Sequence, residues 1–187
     1  METSRFESQR SLADRDDSVL MVIDVQSKLT PVISEFPKLT ANLVKLIRTA
    51  RILDIPVLVT EQQNLGATAD EIRADLEPFQ AISKITFSCL GSAEVADALE
   101  DLGRSTLLLS GIEAHVCVFQ TAIEAARRYR VQVVADAVSA RDPRNLDIAI
   151  QRLRAANIAV TSTEMLMYEW LRRAGTDQFR ATLPLLK

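Results

Sequence analysis

The sequence predicts an α/β fold: a parallel sheet of about six strands with helices on both faces. Three observations point there. Short apolar runs without polar alternation recur along the chain, as expected of strands covered on both sides. Between them lie stretches with apolar residues at helical spacing. The two kinds alternate, and parallel neighbours need a crossover connection between them.

"SVLMVIDV" (18 to 25) is the first apolar run, and Asp24 falls at its C-terminal edge. "PKLTANLVKLIRTARILD" places Leu39, Leu43, Leu46, Ala50 and Leu53 on one helical face, and "IPVLVTE" follows as a second strand. Residues 61 to 80 are more polar and less regular, which predicts a loop and a short helix over the sheet edge. "ISKITF" is a short third strand. The helix "SAEVADALEDLG" groups Val95, Ala98, Leu99 and Leu102, with Gly103 as its C-cap. "STLLLSG" is the fourth strand, followed by a helix around Cys117. Next come the strand "VQVVADAV", a helix opened by Pro143, and the strand "IAVT". Thr161 and Glu164 are spaced as a capping box for the last helix, "TEMLMYEWLRRA". Residues 1–17 read as a polar N-terminal arm and 18–187 as one domain, since 187 residues suffice for a single core.

A formal charge of −3 with both signs interspersed leaves no basic footprint for nucleic acid. No apolar run is long enough for a signal or a membrane span, so no membrane partner is expected. Two cysteines are too few for a disulfide framework and predict reduced thiols in a cytoplasmic protein. A single histidine excludes the two- and three-histidine sites of catalytic zinc. With five glycines, neither a phosphate loop nor a dinucleotide fingerprint can be written, so no metal and no cofactor is expected.

Ligands of open parallel sheets bind outside the carboxyl ends of the strands. Asp24, Lys84 and Cys117 all fall there. Cys117 is placed in the first turn of a helix, where the macrodipole and unpaired amides lower a thiol pKa and can hold an oxyanion. Its neighbour His115 cannot face it from two positions away on a helix, so a structural or substrate-lining role is expected. A carboxylate can instead take the thiol proton, with a nearby ammonium holding that carboxylate. Cys89, in "TFSCLG", reads as packing or pocket wall.

"LMVIDVQSKL", "SKITFSC" and "GIEAHVCVFQTAIEA" together resemble the isochorismatase-like cysteine hydrolases, from about Ser18 to the C-terminus. "PVLVTEQ", "TFSC", "VVADAVSAR" and "EMLMYEWL" are most similar to the branch of isochorismatase domain-containing hydrolases. The resemblance implies a Rossmann-like three-layer fold with strand order 3-2-1-4-5-6 and an Asp24, Lys84, Cys117 triad. It also implies a cis peptide between Ile112 and Glu113, and an oxyanion hole from the amides of Glu113 and Cys117. Nicotinamidase-type members carry an Asp-x-His metal motif where this chain reads "TEQQNLG", which argues against a metal. True isochorismatases cleave a vinyl ether and lack the cysteine.

The expected function is therefore hydrolysis of a small amide-like carbonyl substrate through a thioester. Gln26, Gln62, Phe87 and His115 are the candidate pocket residues. Rival readings are a non-catalytic ligand-binding or scaffold protein, a vinyl ether hydrolase, and a receiver-like domain with Asp24 as phosphoacceptor. Chain length and the acidic pair Asp16 and Asp17, placed before the strand, disfavour the last. Met165, Met167 and Trp170 suggest a subunit interface in a homo-oligomer, although such a stripe also suits plain core.

Overall fold

The computed structural model describes residues 12–76 and 78–186. Six strands form one sheet in the order β3-β2-β1-β4-β5-β6, every neighbouring pair parallel. They are β1 (Ser18–Ile23), β2 (Val57–Gln62), β3 (Ala81–Lys84), β4 (Thr106–Ile112), β5 (Arg130–Ser139) and β6 (Ala159–Thr161). The helices are α1 (Phe36–Ile52), α2 (Asp70–Arg73), α3 (Ala93–Leu102), α4 (Phe119–Ala125), α5 (Pro143–Ala155), α6 (Thr163–Leu171) and α7 (Asp177–Thr182). This is the three-layer α/β arrangement the sequence predicts, including the strand order implied by the resemblance.

The unbroken apolar run of β1 has a physical reason. Successive strand residues point to opposite faces, and here both faces carry core. Leu20 and Val22 join Leu39, Leu43 and Leu46 of α1 and Leu166 and Trp170 of α6. Val19, Met21 and Ile23 join Val95 and Leu99 of α3, Ala122 of α4 and Leu153 of α5. Gly103 caps α3 in the left-handed region at φ 62°, as expected.

Several expectations need correction. Ser162, not Thr161, caps α6: its side chain accepts from Met165 N, while Thr161 ends β6. Met167 and Trp170 are buried core, with the Trp170 indole N–H donating to Ser18 Oγ at 3.2 Å; Met165 alone of the three is exposed, at 56%. Strand β3 stops at Lys84 instead of running to Phe87, because the chain bends back so that the carbonyls of Thr86 and Phe87 meet the Lys84 ammonium. Helix α7 was not anticipated. Residues 1–11 of the expected arm lie outside the described residues. Residues 12–17 are fastened to the domain: Ala13 N donates to Glu169, and Asp17 accepts from Ser105 and Thr106 at the start of β4. Among the described residues, no helix is long and apolar enough to cross a membrane.

One glycine is dictated by close approach. Gly111 of β4 sits beside Ile23 of β1 at φ 122°, and a Cβ there would lie 2.1 Å from the Ile23 carbonyl oxygen. That contact is with backbone and cannot yield by side-chain rotation. Gly111→Ala is expected to destabilise the fold by about 3 kcal/mol, from overpacking plus a disfavoured φ, measured by urea unfolding. Unchanged stability would mean β1 and β4 can separate freely at this point.

Candidate active site

The strand register brings the site together. Ile23 pairs with Thr60 of β2 and Gly111 of β4, while Gln62 pairs with Lys84. Asp24, one residue beyond β1, therefore leaves the sheet beside the ends of three other strands. Its backbone takes the left-handed region at φ 56°, which aspartate tolerates better than most residues.

Asp24 is buried and fully engaged. Lys84 Nζ lies 2.6 Å from Oδ2, and Thr60 Oγ1 donates to Oδ1 at 2.8 Å. Lys84 Nζ also donates to Gln62 Oε1 at 2.9 Å and to the Thr86 carbonyl at 3.1 Å. Both side chains of the ion pair are almost inaccessible, at 0% for Lys84 and 2% for Asp24. A buried pair is tolerated only where the remaining donors and acceptors find partners, and these do.

Cys117 sits in a π-helical turn, Ala114–Val118, that follows β4 and precedes α4. Such turns are frequent at functional sites. Cys117 and Asp24 line one cavity of about 270 Å³, shared with Glu113, Gln62, Phe87 and Arg141. It is not the largest cavity; a groove along β2, β3 and α3 encloses about 700 Å³. The smaller one holds the reactive groups.

The expectation of a lowered thiol pKa is overturned. Burial, and next the negative charge of Asp24, push the Cys117 thiol well up, against a smaller downward pull from Lys84. The helical backbone runs on from the π-helical turn into α4, so Cys117 does sit in the first turn as expected, and burial outweighs what that position offers a thiolate. Cys89 is also pushed up, chiefly by burial. Its thiol lies 3.7 Å from Thr60 Oγ1 in the core behind the site, in keeping with a packing role.

The sign gives a prediction. A thiol raised above its unfolded value is held neutral by the fold, so its contribution to stability is complete below about pH 8.5 and fades as pH climbs beyond that. Since thiolate is the alkylated species, iodoacetamide should modify Cys117 more slowly than glutathione at pH 8. The rate should still be climbing above pH 9. Peptide mapping of the labelled protein against pH checks this; an inflection below pH 8 would reverse the sign.

Of the expected pocket residues, Gln62 and the half-exposed Phe87 line the cavity, whereas Gln26 and His115 do not. The Gln26 amide is consumed as a brace: Nε2 donates to the carbonyls of Gln62 and Gly66, and Oε1 accepts from Gln62 N at 2.8 Å. His115 turns Nδ1 toward Glu113 Oε2, 3.3 Å away. Glu113 itself lines the cavity, with a left-handed φ of 56°; its Oε1 accepts from Arg141 Nε, while Oε2 and His115 Nδ1 make no hydrogen bond among the described residues. Thr60 and Arg141 were missed as site residues. Thr60 lies inside an apolar strand run with no local signal, and Arg141 reads in sequence as an ordinary loop charge. Among the described residues, no three His, Cys, Asp or Glu side chains are grouped as metal ligands.

The Isochorismatase domain family matches residues 18–165. Mouse isochorismatase domain-containing protein 2A is 33% identical over 178 residues, spanning 92% of this chain and 84% of its own. The chain belongs to the isochorismatase family. Among solved structures, the MAR1 ribonuclease of Caenorhabditis elegans superposes with a TM-score of 0.87 at 32% identity, covering 94% of this chain and 92% of that one. The Escherichia coli YcaC gene product, described as an octameric hydrolase of unknown specificity, shares the fold with a TM-score of 0.83. That likeness holds at 20% identity over 94% of this chain and 87% of the other. The isochorismatase-family hydrolase fold thus extends over nearly the whole chain.

Proposed function

We propose that the protein is a cysteine-dependent hydrolase of small amide-like carbonyl compounds, working without metal or cofactor through Asp24, Lys84 and Cys117. The observation that carries this reading is that Cys117 and Asp24 share one small cavity while Lys84 holds Asp24 at 2.6 Å. The thiol is neutral at rest, so proton removal belongs to the chemical step. Asp24 takes the Cys117 proton as sulfur bonds to the carbonyl carbon, and the backbone amides of Glu113 and Cys117 receive the oxyanion. As the C–N bond breaks, Asp24 returns that proton to the leaving amine. Water then attacks the thioester and gives a proton to Asp24; the C–S bond breaks, and the proton returns to sulfur.

Lys84 keeps Asp24 oriented and offsets its charge throughout. Ribonuclease chemistry, as named for the nematode relative, calls for contacts along a phosphate chain. Here the net charge is −3, and Arg141 is the one cation lining the cavity among the described residues. Two free thiols suit a reducing, cytoplasmic compartment. A homo-oligomer is the assembly we favour, in line with the octamer described for YcaC.

One observation favours the rival reading of a ligand-binding protein on the same fold: the upward-shifted thiol. The two separate cleanly. The hydrolase reading expects ammonia release from a panel of small amides and ureas, with an acyl adduct on Cys117 visible by intact mass after rapid quench. No release from any member, and no adduct, would establish the rival.

A further inference from the structure

We infer that the protein pairs with a second copy of itself through one helical face, helix α5 of each copy seating Ile148 in the groove along β2, β3 and α3 of the other. This specifies the homo-oligomer favoured above and does not rest on the hydrolase reading. The groove, about 700 Å³, opens at the edge of the sheet, where β3 is the outermost strand. Val57, Leu58, Ile82 and Leu102 supply its apolar lining, and Glu94, Asp97 and Asp101 of α3 stand along its rim. None of its lining residues lines the cavity that holds Cys117.

Charge selects the occupant. Helix α3 carries Glu94, Asp97, Glu100 and Asp101 and no basic residue. Among the described residues, none of the four is in an ion pair. An apolar slot with an acidic rim fits an apolar side chain set between cations. Helix α5 presents one. Ile148 is 54% exposed, and Arg144 and Arg152, four residues to either side, are exposed on the same ridge. Ala149 and Leu153 are buried on the opposite side of the helix, and Asp147 falls to the flank of the ridge. Both guanidinium groups are held at the surface: Arg144 lies 3.4 Å from Asp142, and Arg152 stacks 4.3 Å above the Phe119 ring.

Symmetry makes the match mutual. Helices α3, α4 and α5 cover one face of the sheet, α3 beside β2 and β3 and α5 beside β5 and β6. Helix α4 lies between them, with Phe119 under Arg152 of α5 and Thr121 accepting from Cys89 N ahead of α3. A two-fold axis running over α4, parallel to the strands, therefore lays α3 of each copy on α5 of the other, a self-complementary pairing. Both helices run back from the carboxyl ends of strands, so this axis keeps them parallel and level. Counted from their first residues, Glu94 and Arg144 are second, Ala98 and Ile148 sixth, and Asp101 and Arg152 ninth and tenth. Each arginine thus meets a carboxylate, while Ile148 meets the groove wall at Ala98.

Sedimentation velocity over a range of concentrations should show wild type as a dimer or an even multiple of one. Asp97→Lys/Asp101→Lys makes the rim basic, and Arg144→Glu/Arg152→Glu makes the ridge acidic. Every change counts twice across a two-fold axis, so either variant alone should raise the dissociation constant of the pair by at least about a hundredfold. Mixing the two variants should restore association, since each then meets opposite charge at both contacts. All four changes in one chain should restore it too.

Circular dichroism checks that each variant folds. If a charge-reversed variant does not, Ile148→Ser decides: the pair should weaken by at least about tenfold, and an unchanged dissociation constant overturns the interface. A wild type that stays monomeric at every concentration overturns both the interface and the homo-oligomer. Assembly that survives either charge reversal, or reversed variants that stay apart when mixed, overturns the interface and leaves a homo-oligomer built through another face.

Discussion

Cys117→Ala is expected to lower kcat by at least about ten-thousandfold on any substrate the wild type accepts, while leaving the protein folded. The Cys117 sulfur is the protein atom that the proposed route bonds to carbon, and losing a nucleophile removes the route, not a contribution to it. Groups that act as one unit behave this way: deleting the nucleophile costs about as much as deleting the whole set. By comparison, a lost oxyanion donor or general base costs on the order of a hundred- to ten-thousandfold. Cys117→Ser should fall almost as far, because a hydroxyl is harder still to deprotonate and Asp24 is a weak base for it. The substitution removes one sulfur from a site only 7% exposed and adjoining a cavity, so the fold should lose little. Ammonia release from both proteins in parallel decides the matter. Activity in Cys117→Ala within tenfold of wild type would rule out the thioester.

The fold was legible in the sequence because its rule is simple. β1 is buried at every position and apolar from Val19 to Ile23 since each of its faces carries a core, and β4, with its Leu107–Leu109 run, is likewise buried throughout. Asp24, Lys84 and Cys117 could be singled out because strand ends converge in a parallel sheet, and chain order alone shows where strands end. What stayed hidden depends on which way a side chain turns. Gln26 is polar and next to Asp24, yet its amide faces the loop at Gly66. Arg141 sits past β5 with nothing in the letters to show that it meets Glu113. The thiol's upward shift was equally invisible: it arises from how deeply Cys117 is buried and from the Asp24 charge beside it, both set by packing. The cysteine does stand in the first turn of a helix, as the sequence predicts, but that position does not decide the direction of the shift when burial opposes it.

Lys84→Met is the second large effect, and it should appear in stability as well as rate. Removing one member of a fully buried pair leaves an uncompensated carboxylate and is expected to cost about 3–5 kcal/mol in urea unfolding at pH 7. The loss has a second source, because the ammonium also ties Gln62 and the carbonyls of Thr86 and Phe87. Without it, the segment bearing Phe87 loses its tether at the cavity wall. Activity should fall with stability: without the ammonium at Oδ2, the Asp24 carboxylate loses the contact that fixes its orientation toward the thiol. The pair can be told from two separate residues by adding Asp24→Asn, since asparagine tolerates the left-handed φ at this position. The double variant should regain a large part of the lost stability, because no unpaired charge remains, yet none of the activity. Additive losses in that cycle would show that Asp24 and Lys84 act independently, and Lys84 would then have no part in holding the base.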